Sequence, residues 1–166
     1  MSKNIDLKSI LPSFSKKVFI IAEVGINHEG SYARCKKLIT LASNSGADAV
    51  KIQTMNPELN YCKRSESFKI FKSCELSIDE TKKIFQFAKK RHIKIFTTLG
   101  DLKTYNFIKN LNPFGYKISS GLLNHFPLVK NLLKTKKPLF ISTGMANSRD
   151  LKTLKELIRI SKKKNI

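Results

Sequence analysis

Lys51 and Lys117 each interrupt an apolar run, AVKIQT and YKISSG, of the kind that forms buried strands. An ammonium group in such a place is costly unless it meets an anion or gives up its proton, so both positions point to a functional charge. Hydroxyl residues stand beside them or close the other apolar runs: Thr97 and Thr98, Ser119 and Ser120, Ser142 and Thr143. Two ammonium groups, several hydroxyls and the backbone N–H groups of glycine-flanked turns can together hold a phosphate and a carboxylate. The same lysines allow a second chemistry, a Schiff base with a carbonyl substrate, and spacing does not separate the two. Glu23 lies in the first such stretch, VFIIAEVGINHEG, where a carboxylate can orient a sugar hydroxyl or move a proton, or serve only as an acceptor for a neighbouring loop. Asn27, His28 and Gln53 are further candidate substrate contacts, although a histidine in a glycine-bounded loop is nearly as well used in bonding its own turn.

These residues are far apart in the chain, and a repeated pattern explains how they can meet. Five times an apolar strand-like run ends in a polar cluster and is followed by a helix-length periodic segment. The strands are expected at residues 18–23, 47–53, 93–97, 115–119 and 138–142. Cys35, Leu38, Ile39 and Ala42 share one face of the first helix at i, i+3, i+4 and i+7. Ser77 and Glu80 form a capping-box pattern for a helix running to about Arg91. Asp101 is placed to cap a helix that turns Leu102, Tyr105, Ile108 and Leu111 inward. Pro127 fits a first helical turn, and Ser148 is expected to cap a last helix carrying Leu151, Leu154 and Ile158. Residues 54–75, punctuated by Pro57, are expected to be a loop over the mouth of the site. Strands separated by single helices run parallel, so all their C-terminal ends open on one face, where α/β enzymes gather catalytic groups. The expected fold is therefore α/β, of the (β/α)8 TIM-barrel type but incomplete, with about five βα units at 18–166 after a leader at 1–17.

Composition narrows the classes of function. A chain of 166 residues, 41% of them hydrophobic, can bury one domain-sized core. Its first seventeen residues hold no secretory-type apolar segment, and no run approaches the ~20 apolar residues of a membrane span, so a cytoplasmic protein without a membrane partner is expected. Cys35, Cys62 and Cys74 have neither CxxC nor zinc spacing and are expected to be free thiols; no metal ligand is assigned in the chain. The net charge of +20 would suit a nucleic-acid binder, but the lysines are not interleaved with stacking aromatic residues and no recognition motif is present. A solvated lysine-rich surface whose field attracts anionic substrates is the better account.

Taken in order, IAEVGINHEG, GADAVKIQT, CELSIDE, IFTTLGD, YKISSG and PLFISTGMA resemble the sialic acid synthase family, which includes N-acetylneuraminate, legionaminate and pseudaminate synthases and a spore-coat polysaccharide relative. The resemblance runs from about Val18 to the C-terminus. It implies a TIM-barrel enzyme that condenses phosphoenolpyruvate with N-acetylmannosamine or a related N-acetylated aldose, releasing phosphate, with a divalent metal, manganese or magnesium. It also implies roles: Lys51, Thr98, Lys117, Ser120 and Ser142 match positions that hold the phosphate and carboxylate of phosphoenolpyruvate, and Glu23 matches an acidic residue near the aldose. Anion binding rather than a Schiff base is what these matches favour.

The pattern also departs from the family. Where the family reads S-G-E after the fourth strand this chain has Ser120-Gly121-Leu122, and where it reads T-P-F after the third it has Thr98-Leu99-Gly100. The family's strand-six cysteine-threonine motif, its two metal-binding histidines and the C-terminal antifreeze-like domain that closes over a partner's site in a dimer have no match here. The chain is thus expected to represent the N-terminal part of a synthase, with little or no synthase activity when isolated. The alternative is a half-barrel that binds an anionic metabolite or complements a second chain.

Overall fold

Among the described residues, five strands form one parallel sheet in the order β1-β2-β3-β4-β5. The computed structural model describes residues 18–163, so the expected leader at 1–17 lies outside the described residues. The strands are β1 (Ile21–Gly25), β2 (Ala49–Thr54), β3 (Lys94–Leu99), β4 (Tyr116–Ile118) and β5 (Leu139–Ile141). Helix α1 (Tyr32–Asn44) joins β1 to β2, and α2 (Pro57–Asn60), α3 (Glu66–Ser73) and α4 (Ile78–Lys90) lie between β2 and β3. Helix α5 (Leu102–Ile108), α6 (Phe126–Leu133) and α7 (Ser148–Lys163) complete the order. Each strand pairs with its neighbours in the chain, whereas a doubly wound sheet reverses its order and carries helices on both faces. Sequential parallel order with helices on one face is the construction of a TIM-type barrel, here with five strands described.

The two faces of the sheet have different chemistry because side chains alternate along each strand. Val50 and Ile52 of β2, Ile95 and Leu99 of β3, and Tyr116 and Ile118 of β4 pack against Cys35 and Ile39 of α1, Ile84 and Phe85 of α4, and Leu128 and Leu132 of α6. This is the main core, and burial within it pushes the Cys35 thiol up to about 12, which leaves that sulfur unreactive. The opposite, inner face carries Glu23, Lys51, Gln53, Phe96, Thr98, Lys117 and Phe140, linked by register pairs Glu23 with Lys51, Lys51 with Phe96, Thr98 with Lys117, and Lys117 with Phe140. Phe96 stacks on Phe140 at 5.0 Å between ring centroids and meets Phe114 edge-on at 6.3 Å, giving this face an aromatic floor.

Local signals account for most element ends. Ser31 caps α1 and Asp101 caps α5, and the reciprocal Ser77–Glu80 capping box is formed at α4. Several expectations are corrected. Strand β1 begins at Ile21 rather than Val18, because the Asp48 carboxylate accepts the Ile20 N–H at 2.7 Å and ends the ladder there. The expected loop at 54–75 contains two helices, α2 capped by Asn56 with Pro57 in its first turn, and α3 capped by Ser65. Asn147, not Ser148, caps α7, since its side-chain oxygen accepts from the Arg149 and Asp150 N–H groups. Leu102 and Leu151 are exposed rather than inward, while Thr104 and Leu154 are buried on their respective helices.

Candidate functional site

The C-terminal ends of β1, β2 and β3 bring Glu23, Lys51 and Thr98 into contact. Lys51 Nζ donates to the Thr98 hydroxyl at 2.7 Å and lies 3.1 Å from a Glu23 carboxylate oxygen. The Lys51 side chain is only 10% exposed, whereas that of Glu23 is 58% exposed, so the pair sits at a boundary with the cation inside and the anion toward solvent. A register shift between Glu23 and Gly25 turns the end of β1. Gly25 has φ 56°, and a Cβ there would lie 3.1 Å from the Glu23 carboxylate, so glycine gives both the turn and the space for that carboxylate.

A second pair forms across β4 and β5. Lys117 Nζ donates to its neighbour's carbonyl, Ile118 O, at 2.8 Å and to the Ser142 hydroxyl. Ser142 N–H donates to the same carbonyl at 3.1 Å, which fixes the hydroxyl beside the ammonium. Burial holds the Lys117 ammonium below the ordinary lysine range, the charge of Lys51 lowers it further, and the Glu23 carboxylate acts in the opposite direction. Ser120 opens a 3-10 turn, Ser120–Leu122, directly after β4. Its Cβ lies 4.0 Å from the position a Cβ on Gly144 would take, so the loops after β4 and β5 meet there.

The remaining candidates fall into different places. Gln53 shares the inner face with Lys51 and donates to the Met55 sulfur at 3.1 Å. Asn27 is exposed in the loop after β1. His28 is 1% exposed, and its Nδ1 accepts the Gly30 N–H at 3.2 Å. It bonds its own turn, and burial lowers its pKa below the ordinary histidine value. Leu122, which stands where the resembled family has a carboxylate, packs partly buried against the main core. Thr97, expected with Thr98 among the hydroxyls of the site, lies instead on the helix-facing side of β3 with Ile95 and Leu99. There its hydroxyl accepts the Thr54 N–H at 2.9 Å and donates to Ile52 O at 3.2 Å, tying the ends of β2 and β3 together, a role that a threonine in an apolar run does not announce.

Chemically, the inner face offers two ammonium groups already paired with hydroxyls, and a carboxylate at the rim. Such a set has the chemistry to hold a dianion, with the ammonium groups exchanging hydroxyl partners for anionic oxygens. Among the described residues no group of three or more His, Cys, Asp or Glu side chains is placed to hold a metal ion.

Comparison with known proteins bears on this arrangement. Residues 38–166 match the NeuB family. The chain belongs to the NeuB family. A relative from Methanocaldococcus jannaschii, itself uncharacterised, is 40% identical over 129 residues, covering 78% of this chain and 38% of that protein. The pseudaminic acid synthase of Campylobacter jejuni is 33% identical over 161 residues, covering 89% of this chain and 47% of that enzyme. The N-acetylneuraminic acid (sialic acid) synthetase of Leptospira borgpetersenii, solved in complex with citrate, superposes with a TM-score of 0.82 at 26% identity, over 87% of this chain and 51% of that one. As a NeuB-family chain it thus spans between 38% and 51% of the length of these relatives. The structural match agrees with a partial TIM-type barrel, as the strand order does.

Proposed function

We propose that this NeuB-family chain carries the phosphoenolpyruvate-binding part of a nonulosonic acid synthase. The observation that supports this most directly is the pairing of each inner-face lysine with a hydroxyl on the next strand, Lys51 with Thr98 and Lys117 with Ser142. In this reading Lys51, Thr98, Lys117, Ser120 and Ser142 hold the phosphate and carboxylate of phosphoenolpyruvate. Glu23, exposed at the rim beside Lys51, lies toward an N-acetylated aldose such as N-acetylmannosamine and moves or holds a proton there. The reaction joins phosphoenolpyruvate C3 to the aldehyde carbon of the open-chain sugar; water adds at C2, and C–O cleavage releases phosphate. Ammonium groups that meet the phosphate stabilise the charge it carries as it leaves.

A divalent metal, manganese or magnesium, belongs to this reading by resemblance. The described residues do not assemble a ligand set for one, so every role assigned here belongs to the chain's own side chains. Strands β1 and β5 are each paired on one side only among the described residues, and a second chain, as homodimer partner or complementing half, is what such edges accept. No described helix is long and apolar enough to cross a membrane; a cytoplasmic setting goes with the proposed substrate.

The test is calorimetric titration of the chain with phosphoenolpyruvate, alongside an assay of phosphate release with N-acetylmannosamine. Binding that is lost in Lys51→Met and Lys117→Met supports the reading, and binding that survives both overturns it. Little or no phosphate release is expected from the isolated chain, and metal-dependent release would overturn that expectation. Reduction with borohydride in the presence of pyruvate should leave no adduct on Lys51 or Lys117, since this reading gives both ammonium groups to anion binding.

A further inference from the structure

The sequence Thr98-Leu99-Gly100, which ends β3, has a structural counterpart in the segment after β2. Gly100 is buried, and a Cβ at that position would lie 2.0 Å from Oδ1 of Asn60, so a larger residue would displace that amide. Asn60 ends α2, and its Nδ2 donates to Asn56 O at 2.7 Å and to the Asp101 carboxylate at 3.0 Å. Asp101, buried in turn, accepts the Thr104 N–H at 2.7 Å and the Thr104 hydroxyl at 2.8 Å. One amide therefore fastens the start of the β2–β3 connection to the turn that follows Thr98. It acts beside the Thr97 tie between the same two strand ends.

We infer that Asn60 is a positioning residue for the anion site. By clamping α2 to the turn after β3, it holds the mouth-side ends of β2 and β3 in the register that sets Lys51 on Thr98. The inference rests on the proposed anion site and goes beyond it, because Asn60 is not one of the ligands assigned there. It also explains the glycine at position 100 as the space in which the clamp sits.

Asn60→Asp separates the clamp from simple packing. Aspartate has the shape of asparagine and keeps the contact with Gly100, but it replaces both donations by repulsion between oxygens. Asp101→Asn in the same chain supplies a donor opposite the new carboxylate and keeps an acceptor for the Thr104 N–H. The single variants, the double variant and the unsubstituted chain are compared by two measurements. One is hydrogen exchange at the Leu59 and Tyr61 amides, which bond Asn56 O and Pro57 O at 3.1 and 3.0 Å. The other is affinity for inorganic phosphate. Asn60→Asp is expected to speed exchange and weaken phosphate binding by about tenfold each, and the double variant to recover part of both, since it restores the bond to position 101 but not the one to Asn56 O. Unchanged phosphate affinity in Asn60→Asp, or a double variant no better than the single one, overturns the positioning role. An unsubstituted chain that takes up no phosphate overturns the anion-site reading and the positioning role with it, an outcome distinct from normal uptake that ignores Asn60.

Discussion

Lys51 on β2 reaches the hydroxyl of Thr98 on β3 at 2.7 Å while its charge is balanced by Glu23 at 3.1 Å, so one buried cation joins three strands. Breaking a buried pair destabilises a protein when the charge left behind is also buried, but Glu23 faces solvent. Lys51→Met should therefore change stability in urea by about 1 kcal/mol or less. The same substitution should weaken phosphoenolpyruvate binding by about ten- to a hundredfold, measured by calorimetry, since a charge-assisted bond is lost.

Glu23→Gln should separate binding from chemistry. Removing a negative charge beside Lys51 favours an incoming anion, so phosphate affinity is expected to rise by about two- to fivefold at low salt. A fall in affinity would place Glu23 among the groups that organise the anion site rather than the sugar end.

The half-buried ammonium of Lys117 gives the site a pH dependence. Its pKa is lowered by burial, then by Lys51, against an opposing effect of Glu23. Anion binding needs the proton, so phosphate affinity should decline with rising pH from below the ordinary lysine value of about 10.4. Between the lowered native pKa and that value the unfolded chain holds more protons than the native one, so stability rises with pH across the same window. Calorimetry in two buffers of different ionisation enthalpy should show proton uptake on phosphate binding there.

His28 sets an acid limit on the first loop. It is buried and neutral, with Nδ1 accepting from Gly30 N–H, and its pKa lies below the ordinary value. As pH falls through about 6.5 the unfolded chain takes up a proton that the native state refuses. Stability should therefore fall with acidity from that point down to the native pKa. His28→Asn, which keeps an acceptor near the Nδ1 position without its titration, should flatten the thermal midpoint between pH 7 and 5.

The strand-helix alternation and the inner-face lysines were legible because each rests on a strong local signal, a charge inside an apolar run or a cap before a periodic stretch. The Ser77–Glu80 box and the Asp101 cap are of this kind. Helices α2 and α3 were not legible, being too short for a periodic face to separate them from a loop, although Asn56-Pro57 and Ser65 are the caps that begin them. Leu102 and Leu151 follow helical spacing but lie in the first turns of their helices and are exposed. The pairing of Asn60 with Gly100 depends on a contact between two loops, and nothing local to either residue encodes it.

The order in which the strands pair matches the order in which the ribosome makes them. Each new strand finds its place against the one just completed, and among the described residues only the outer edges of β1 and β5 stay unpaired. A nascent chain can therefore zip its sheet one βα unit at a time, closing modest loops at every step rather than one large one. The charged inner face would be assembled in the same sequence, Glu23 with Lys51 first, then Thr98, and Lys117 with Ser142 last.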